Sequence, residues 1–494
     1  MSTDIIASRR PRYGATVGIV LAAAFGLAGC GGGGEDTTVG VSTPTIGDPV
    51  RVYVNAPADI AQVSADNYDD NVNGLITDTT LKRWIDDWAA NRPAGITGRL
   101  IILQVNKGPA GSEYITPNPA GGVLTYSIPS SRLTMDRSNG VTTTRTMVPD
   151  GAAMDAFLSD YGIDPTKDML VCAMGAGSAG AAMSMGRCWY MMRYWGVPKE
   201  HVAQLNGGAA NAGTGVMLGY VGPTATCDES VSTTCLPRLP RSSSISVRNL
   251  PQDNTALQAT MADVIDVVEG RESAFLWDAR NEGQYLGTNF QNANSRAGHP
   301  NGALLLEHTD MVDNIGRYKS KDVLRQYLNG ELPAGANFQF RTDNNAGGVA
   351  VPVGPGNAYQ PGQTVITYCE TTMRAMLTGT VTSMILGLPT RFYDGAMVEW
   401  NSMSHFQDSN NDFILPSDSP WRTDRPDRSW YVYSTTTVDP RIINDPYYDD
   451  PDYRVANAII DADKAYKIGA TSTGGSGGGA GGGGGGLPSN PCGG

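Results

Sequence analysis

The stretch TVITYCETTMRAMLTGTVTSMILGLPTRFYDGAM, residues 364–397, holds the pattern that decides the fold. TVITY, apolar and β-branched, reads as a buried strand, and CETTMR follows as a short turn. RAMLTGTVTSMIL reads as a helix ending at Gly387, and TRFYD as a second strand. Strand, crossover helix and strand make a parallel unit. Cys369 stands where the first strand ends and the helix opens. Unpaired N–H groups and the helix dipole at such a place stabilise a thiolate, so a lowered thiol pKa is expected. Arg374, five residues on, can curl back onto an anion held by the loop.

Outward from this unit the same alternation continues. A helix carries Leu257, Met261, Ile265 and Val268, strands AFLWD and ALLL follow, and KDVLRQYL is a further helix. An earlier region repeats the arrangement. Leu81, Trp84, Ile85 and Trp88 share a helical face before the strand LIILQV, and Met154, Phe157, Leu158 and Tyr161 share another. Then DMLVCAMG, a helix ending at Gly196, and VAQLNGGA parallel TVITYCET, the helix to Gly387, and TRFYDGAM. The fold class is therefore α/β, with two tandem domains, each a parallel sheet with helices on both faces. Residues 50–215 form the first domain, 216–255 a linker and 256–405 the second domain. Residues 406–468 are an extension expected to wrap over the second domain. The Gly-rich 469–494 cannot bury a core and is expected to be disordered.

YCETTMRA, the helix to Leu388 and RFYDGAMVEW together resemble the catalytic half of the rhodanese (thiosulfate/mercaptopyruvate sulfurtransferase) family. WDARNEGQYLG, with Asp278, Arg280 and Glu282, resembles that family's Asp-x-Arg strand. Gly298-His299-Pro300-Asn301-Gly302-Ala303 resembles its Gly-His turn, and Asp394-Gly395 and Trp400 its late landmarks. The match is good over residues 260–404 and weak over the first half. The resemblance implies two rhodanese-like domains and a sulfurtransferase that carries sulfane sulfur as a persulfide on Cys369. Glu370, Thr371, Thr372, Met373 and Arg374 would form the substrate-binding loop, with Asp278 and Arg280 as structural supports. The implied partners are a small sulfur donor and a thiol or cyanide acceptor, with no cofactor. Four residues separate Cys369 from Arg374, one fewer than the phosphate-cradling loops of related cysteine phosphatases, which favours sulfur over phosphate. Glu370 stands where thiosulfate-using relatives place a basic residue, and a carboxylate there repels a dianionic donor. In the first domain Ala173 aligns with Cys369 and the loop has no arginine, so that domain is expected to be inactive and to shape the cleft.

The 494 residues carry a net charge of −13, which disfavours nucleic acid as a partner. Arg9, Arg10 and Arg12 precede the apolar run VGIVLAAAFGLAG, too short to span a bilayer, so residues 1–29 read as a lipoprotein export signal. Leu27-Ala28-Gly29-Cys30 resembles a lipobox, which makes Cys30 the lipidated anchor and residues 30–49 a flexible tether. The implied location is the cell envelope, with outer-membrane delivery favoured by Gly31 and the membrane face left open. Cys227 and Cys235 share one polar loop and are the candidate disulfide. Cys172 and Cys188 read as core residues.

The seven cysteines show no metal-ligand spacing, so no metal site is assigned. Asp69, Asn71, Asn73 and Gly74 begin like a calcium loop, but Thr80 stands where a bidentate glutamate is needed; Asp408, Asn410 and Asp412 form a similar fragment. Gly175, Gly177 and Gly180 spell GxGxxG, with Glu200 before its strand instead of after it, which does not suit a dinucleotide fold. Two alternatives to sulfur transfer stay open: a non-catalytic envelope scaffold, in a complex with other envelope proteins, and thiol-dependent reduction of a selenite-type oxyanion at the same cysteine.

Overall fold

Apolar runs bounded by turn residues become the strands, and the amphipathic stretches between them become crossover helices. The computed structural model describes residues 52–108, 113–138, 143–209, 218, 227–228, 246–288, 298–343, 349–402, 421 and 458–469. The signal segment, Cys30, the tether, Cys235, the side chain of Cys227 and the tail beyond Gly469 lie outside the described residues, and with them the Cys227–Cys235 pairing.

In the first sheet Gly74–Ile76, Val202–Gly208, Met169–Met174, Leu100–Gln104 and Val123–Ser127 lie side by side, all parallel, and Cys227–Asp228 joins the far edge. In the second, Gln258–Ala259, Thr390–Tyr393, Thr364–Tyr368, Ala274–Asp278 and Leu304–Leu305 follow in the same order, also parallel. The shared order, with the strand before Cys369 and its counterpart near the centre of each sheet, is the structural form of the repeat read in the sequence. The second sheet departs from all-parallel at one edge, where Arg341–Asp343 and Ala350–Pro352 add an antiparallel pair. Every residue of Leu100–Gln104 and of Met169–Met174 is buried. Successive side chains point to opposite faces, so both faces of this sheet are covered.

The halves meet through the helices that follow the central strands. Gly186, on Ala179–Tyr194, has no room for a side chain: a Cβ there would stand 3.0 Å from Met376 Cβ on the partner helix Ala375–Thr380. The rings of Tyr190 and Phe392 pack with centroids 4.7 Å apart. One apolar core runs from Leu100, Ile102 and Met169 into Trp277, Met376 and Phe392.

Three expectations change. Cys172 and Cys188 are in the core, both fully buried, but they are bonded to each other as a disulfide. It ties a central strand to the inner face of the next helix, a pairing that no local spacing or polar flank marks. Closing a loop of this length stabilises by about 3 kcal/mol. The counterpart of Cys369 in the first half is Met174, not Ala173. Val105 N donates to Ala173 O as Ala279 N does to Tyr368 O, at 2.9 and 3.0 Å, which superposes Ala173 on Tyr368. The offset holds along the whole strand, since Leu100 pairs with Met169 as Ala274 pairs with Thr364 and Gln104 with Ala173 as Asp278 with Tyr368. Finally, Ala458–Lys467 docks on the first half. Asp463, nearly fully buried, takes Arg137 Nη1 and Nη2 at 2.8 and 2.7 Å and the Tyr194 hydroxyl at 2.7 Å. Trp421, donating to Glu269 at 2.8 Å, lies on the second half.

Candidate active site

The Thr364–Tyr368 strand delivers Cys369 to its C-terminal end, and the helix does not begin until Ala375, so residues 369–374 form a turn over the helix mouth. The turn is fixed from below. Thr372 adopts φ +67°, and its hydroxyl donates to Tyr393 O and Asp394 O at 3.0 and 2.7 Å. Met397 N and Val398 N, in the first turn of Ala396–Ser402, donate to Cys369 O and Glu370 O at 3.2 and 3.3 Å. Ala396 opens that helix at φ +55°, and Thr146, whose hydroxyl donates to Thr371 O at 2.6 Å, stands at φ +57°. Such backbone costs about 1 kcal/mol or more per residue and persists where surroundings over-determine it. Three of these positions converge on one six-residue turn.

Cys369 is fully buried and is the free cysteine among the described residues. Cavities of about 220 Å³ beside Arg193 and about 280 Å³ beside Leu328 do not border it. Ala279 and Ala375 pack directly against the cysteine.

Arg374, also buried, spends one N–H group on Gln284 Oε1 at 2.6 Å, while its Nε and Nη2, Gln284 Nε2 and Glu370 Oε1 are buried without a hydrogen-bond partner. Buried polar atoms normally have partners, so the unpartnered donors of Arg374, on the turn that carries Cys369, mark where a ligand's acceptors would fit. Asp278 and Arg280 form the floor. Arg280 is held by both Asp278 oxygens at 2.7 to 3.1 Å and by Gly298 O at 2.7 Å, and its Nη1 reaches Glu370 Oε2 at 3.5 Å. Burial alone would lower its pKa, but Asp278, together with Tyr368 and Glu370, outweighs burial and holds the guanidinium charged. Burial pushes the Glu370 carboxyl above its ordinary range, with Arg280 and Arg374 opposing.

Sequence reading missed several of these residues. Gln284 lies in an unremarkable helical turn. His308 has Nδ1 at 3.2 Å from Ala279 O; burial, then Arg374, lowers its pKa to about 4. His299 is part of the scaffold, stacked on Tyr285 at 3.6 Å between centroids. Among the described residues no cluster of His, Cys, Asp and Glu could hold a metal. Asn71, from the calcium-like fragment, accepts from Ala65 N and donates to Leu75 O, which makes it a turn residue.

No family model matches the chain, and no curated protein matches it in sequence. Solved structures similar in chain path include the Tum1 protein from Saccharomyces cerevisiae, at 16% identity and a TM-score of 0.46, covering 67% of this chain and 95% of that one. SseA from Escherichia coli, described as a 3-mercaptopyruvate sulfotransferase with the "Rhodanese" fold, is 18% identical with a TM-score of 0.39, covering 66% and 98%. An anaerobic ergothioneine biosynthesis enzyme from Chlorobium limicola is 14% identical with a TM-score of 0.42, covering 67% and 68%.

Proposed function

We propose that the protein is a sulfurtransferase of the rhodanese type that carries sulfane sulfur as a persulfide on Cys369. The observation that carries this reading is a buried thiol in a tightly held turn that also carries Arg374, whose buried Nε and Nη2 have no hydrogen-bond partner. The Cys369 thiolate attacks the outer sulfur of the donor, forming an S–S bond, and the donor's own S–S bond breaks with its electron pair on the leaving group. Arg374 would hold that leaving anion. An acceptor thiolate or cyanide then attacks the outer sulfur of the persulfide and regenerates the Cys369 thiolate. Steady-state transfer from thiosulfate or polysulfide to cyanide tests it; turnover abolished in Cys369→Ser is the expected result, and equal turnover in both forms would overturn the reading. The full burial of Cys369 favours one second reading, a non-catalytic scaffold, for which the parent itself would show no turnover.

Glu370 makes the donor preference depend on pH. Its carboxyl holds its proton to higher pH than an ordinary glutamate, and the charge that appears above that pH repels a dianionic donor. Glu370→Gln is expected to raise loading by thiosulfate at alkaline pH by on the order of tenfold, the advantage over the parent shrinking as pH falls. The stability sign follows. A carboxyl raised in the folded state favours folding below its unfolded pKa and loses that contribution as pH rises through the folded value. The variant should therefore gain stability over the parent on the alkaline side. A constant ratio of loading rates across pH would contradict this role.

The proposal extends to location. Cys30 would carry the lipid that holds the chain in the cell envelope, and a core disulfide suits an oxidising compartment. Cys30→Ser is expected to move the protein from the membrane to the soluble fraction; retention in the membrane fraction would contradict the anchor.

A further inference from the structure

The half without a nucleophile sends a cation into the base of the other half's turn. Arg187, on the Ala179–Tyr194 helix, is fully buried and pairs with Asp394, also fully buried, through Nη1–Oδ1 at 2.6 Å and Nη2–Oδ2 at 3.1 Å. Asp394 Oδ2 accepts a further bond from Val148 N at 2.7 Å, and Arg187 also donates to Thr146 O and, at 3.4 Å, to Leu133 O. Both partners of this ion pair lead directly to the turn: Asp394 O accepts the Thr372 hydroxyl, and the Thr146 hydroxyl binds Thr371 O. Two of the residues so linked, Thr146 and Thr372, hold positive φ.

We infer that Arg187 is a positioning residue for the Cys369 turn, so that the first half serves as an internal template holding the second half's nucleophile in its reactive shape. Arg187 would touch neither donor nor acceptor and would act through Asp394 and Thr146. The inference goes beyond sulfur transfer as such but rests on Cys369 being the reactive thiol.

The test uses the full chain in four forms: parent, Arg187→Met, Arg187→Lys and Thr146→Val. Arg99→Met serves as a control, breaking the pair with Asp168 at the start of the first sheet's strands. Hydrogen exchange of residues 369–374 and the rate of Cys369 alkylation are read beside circular dichroism. Expected for Arg187→Met is native circular dichroism, at least tenfold faster exchange confined to the turn, and at least tenfold faster alkylation as the loosened turn opens the buried thiol. Arg187→Lys should recover part of both, Thr146→Val should show a few-fold effect, and Arg99→Met should match the parent. A folded Arg187→Met with parental exchange and alkylation would overturn the inference. If Arg187→Met fails to fold, Thr146→Val decides, and parental behaviour there overturns it equally. A parent that alkylates but accepts no sulfur from any sulfane donor would remove the sulfurtransferase reading and leave the positioning role standing.

Discussion

Arg374→Met is expected to lower the rate of persulfide formation by about 10²- to 10³-fold, the usual cost of removing a preorganised anion donor, with little change in fold. The guanidinium makes one hydrogen bond, to Gln284, and leaves Nε and Nη2 unpartnered. Those two donors contribute little to the resting structure. If their work is to hold the departing anion, the loss falls on the chemical step, so turnover at saturating donor should drop along with turnover per KM. Stopped-flow loading with thiosulfate measures it. A variant within a few-fold of the parent would mean that the donor's charge is met elsewhere.

Arg280→Met should instead be felt as stability. Arg280 neutralises Asp278 through three close contacts and reaches Glu370, all three residues nearly fully buried. Removing the cation leaves Asp278 uncompensated in the core beneath Cys369, a loss on the order of 3–5 kcal/mol. Urea unfolding followed by tryptophan fluorescence should show the midpoint fall accordingly, and a shift under about 1 kcal/mol would mean that the pair is better solvated than its burial implies. Asp278→Asn with Arg280→Met together should cost less than Arg280→Met alone, because no charge is then left unpaired.

Strand, turn and helix around Cys369 were legible because each is written in local periodicity: TVITY is the strand Thr364–Tyr368, and the parallel repeat follows from the spacing of apolar runs. The repeat's register was off by one residue, because both central strands are apolar runs in which no residue marks which position aligns with which. The Cys172–Cys188 bond was hidden for a related reason: both cysteines sit in apolar surroundings that read as packing. The bridges that fix the turn could not be read at all. Arg187 and Asp394 are 207 residues apart, and Thr146 and Thr371 are 225 apart, and nothing in either local sequence names the other. Glu370 was legible as a charge but not as a buried one. Its raised pKa depends on burial that the tertiary fold supplies, opposed by Arg280 and Arg374.

The central claim is that Cys369 holds a sulfane sulfur, and the intact mass of the lipid-free chain after incubation with thiosulfate or polysulfide tests it most directly. The expected result is a gain of one sulfur mass, reversed by cyanide or a thiol and absent from Cys369→Ser. No gain with any sulfane donor, or an equal gain in Cys369→Ser, would contradict it.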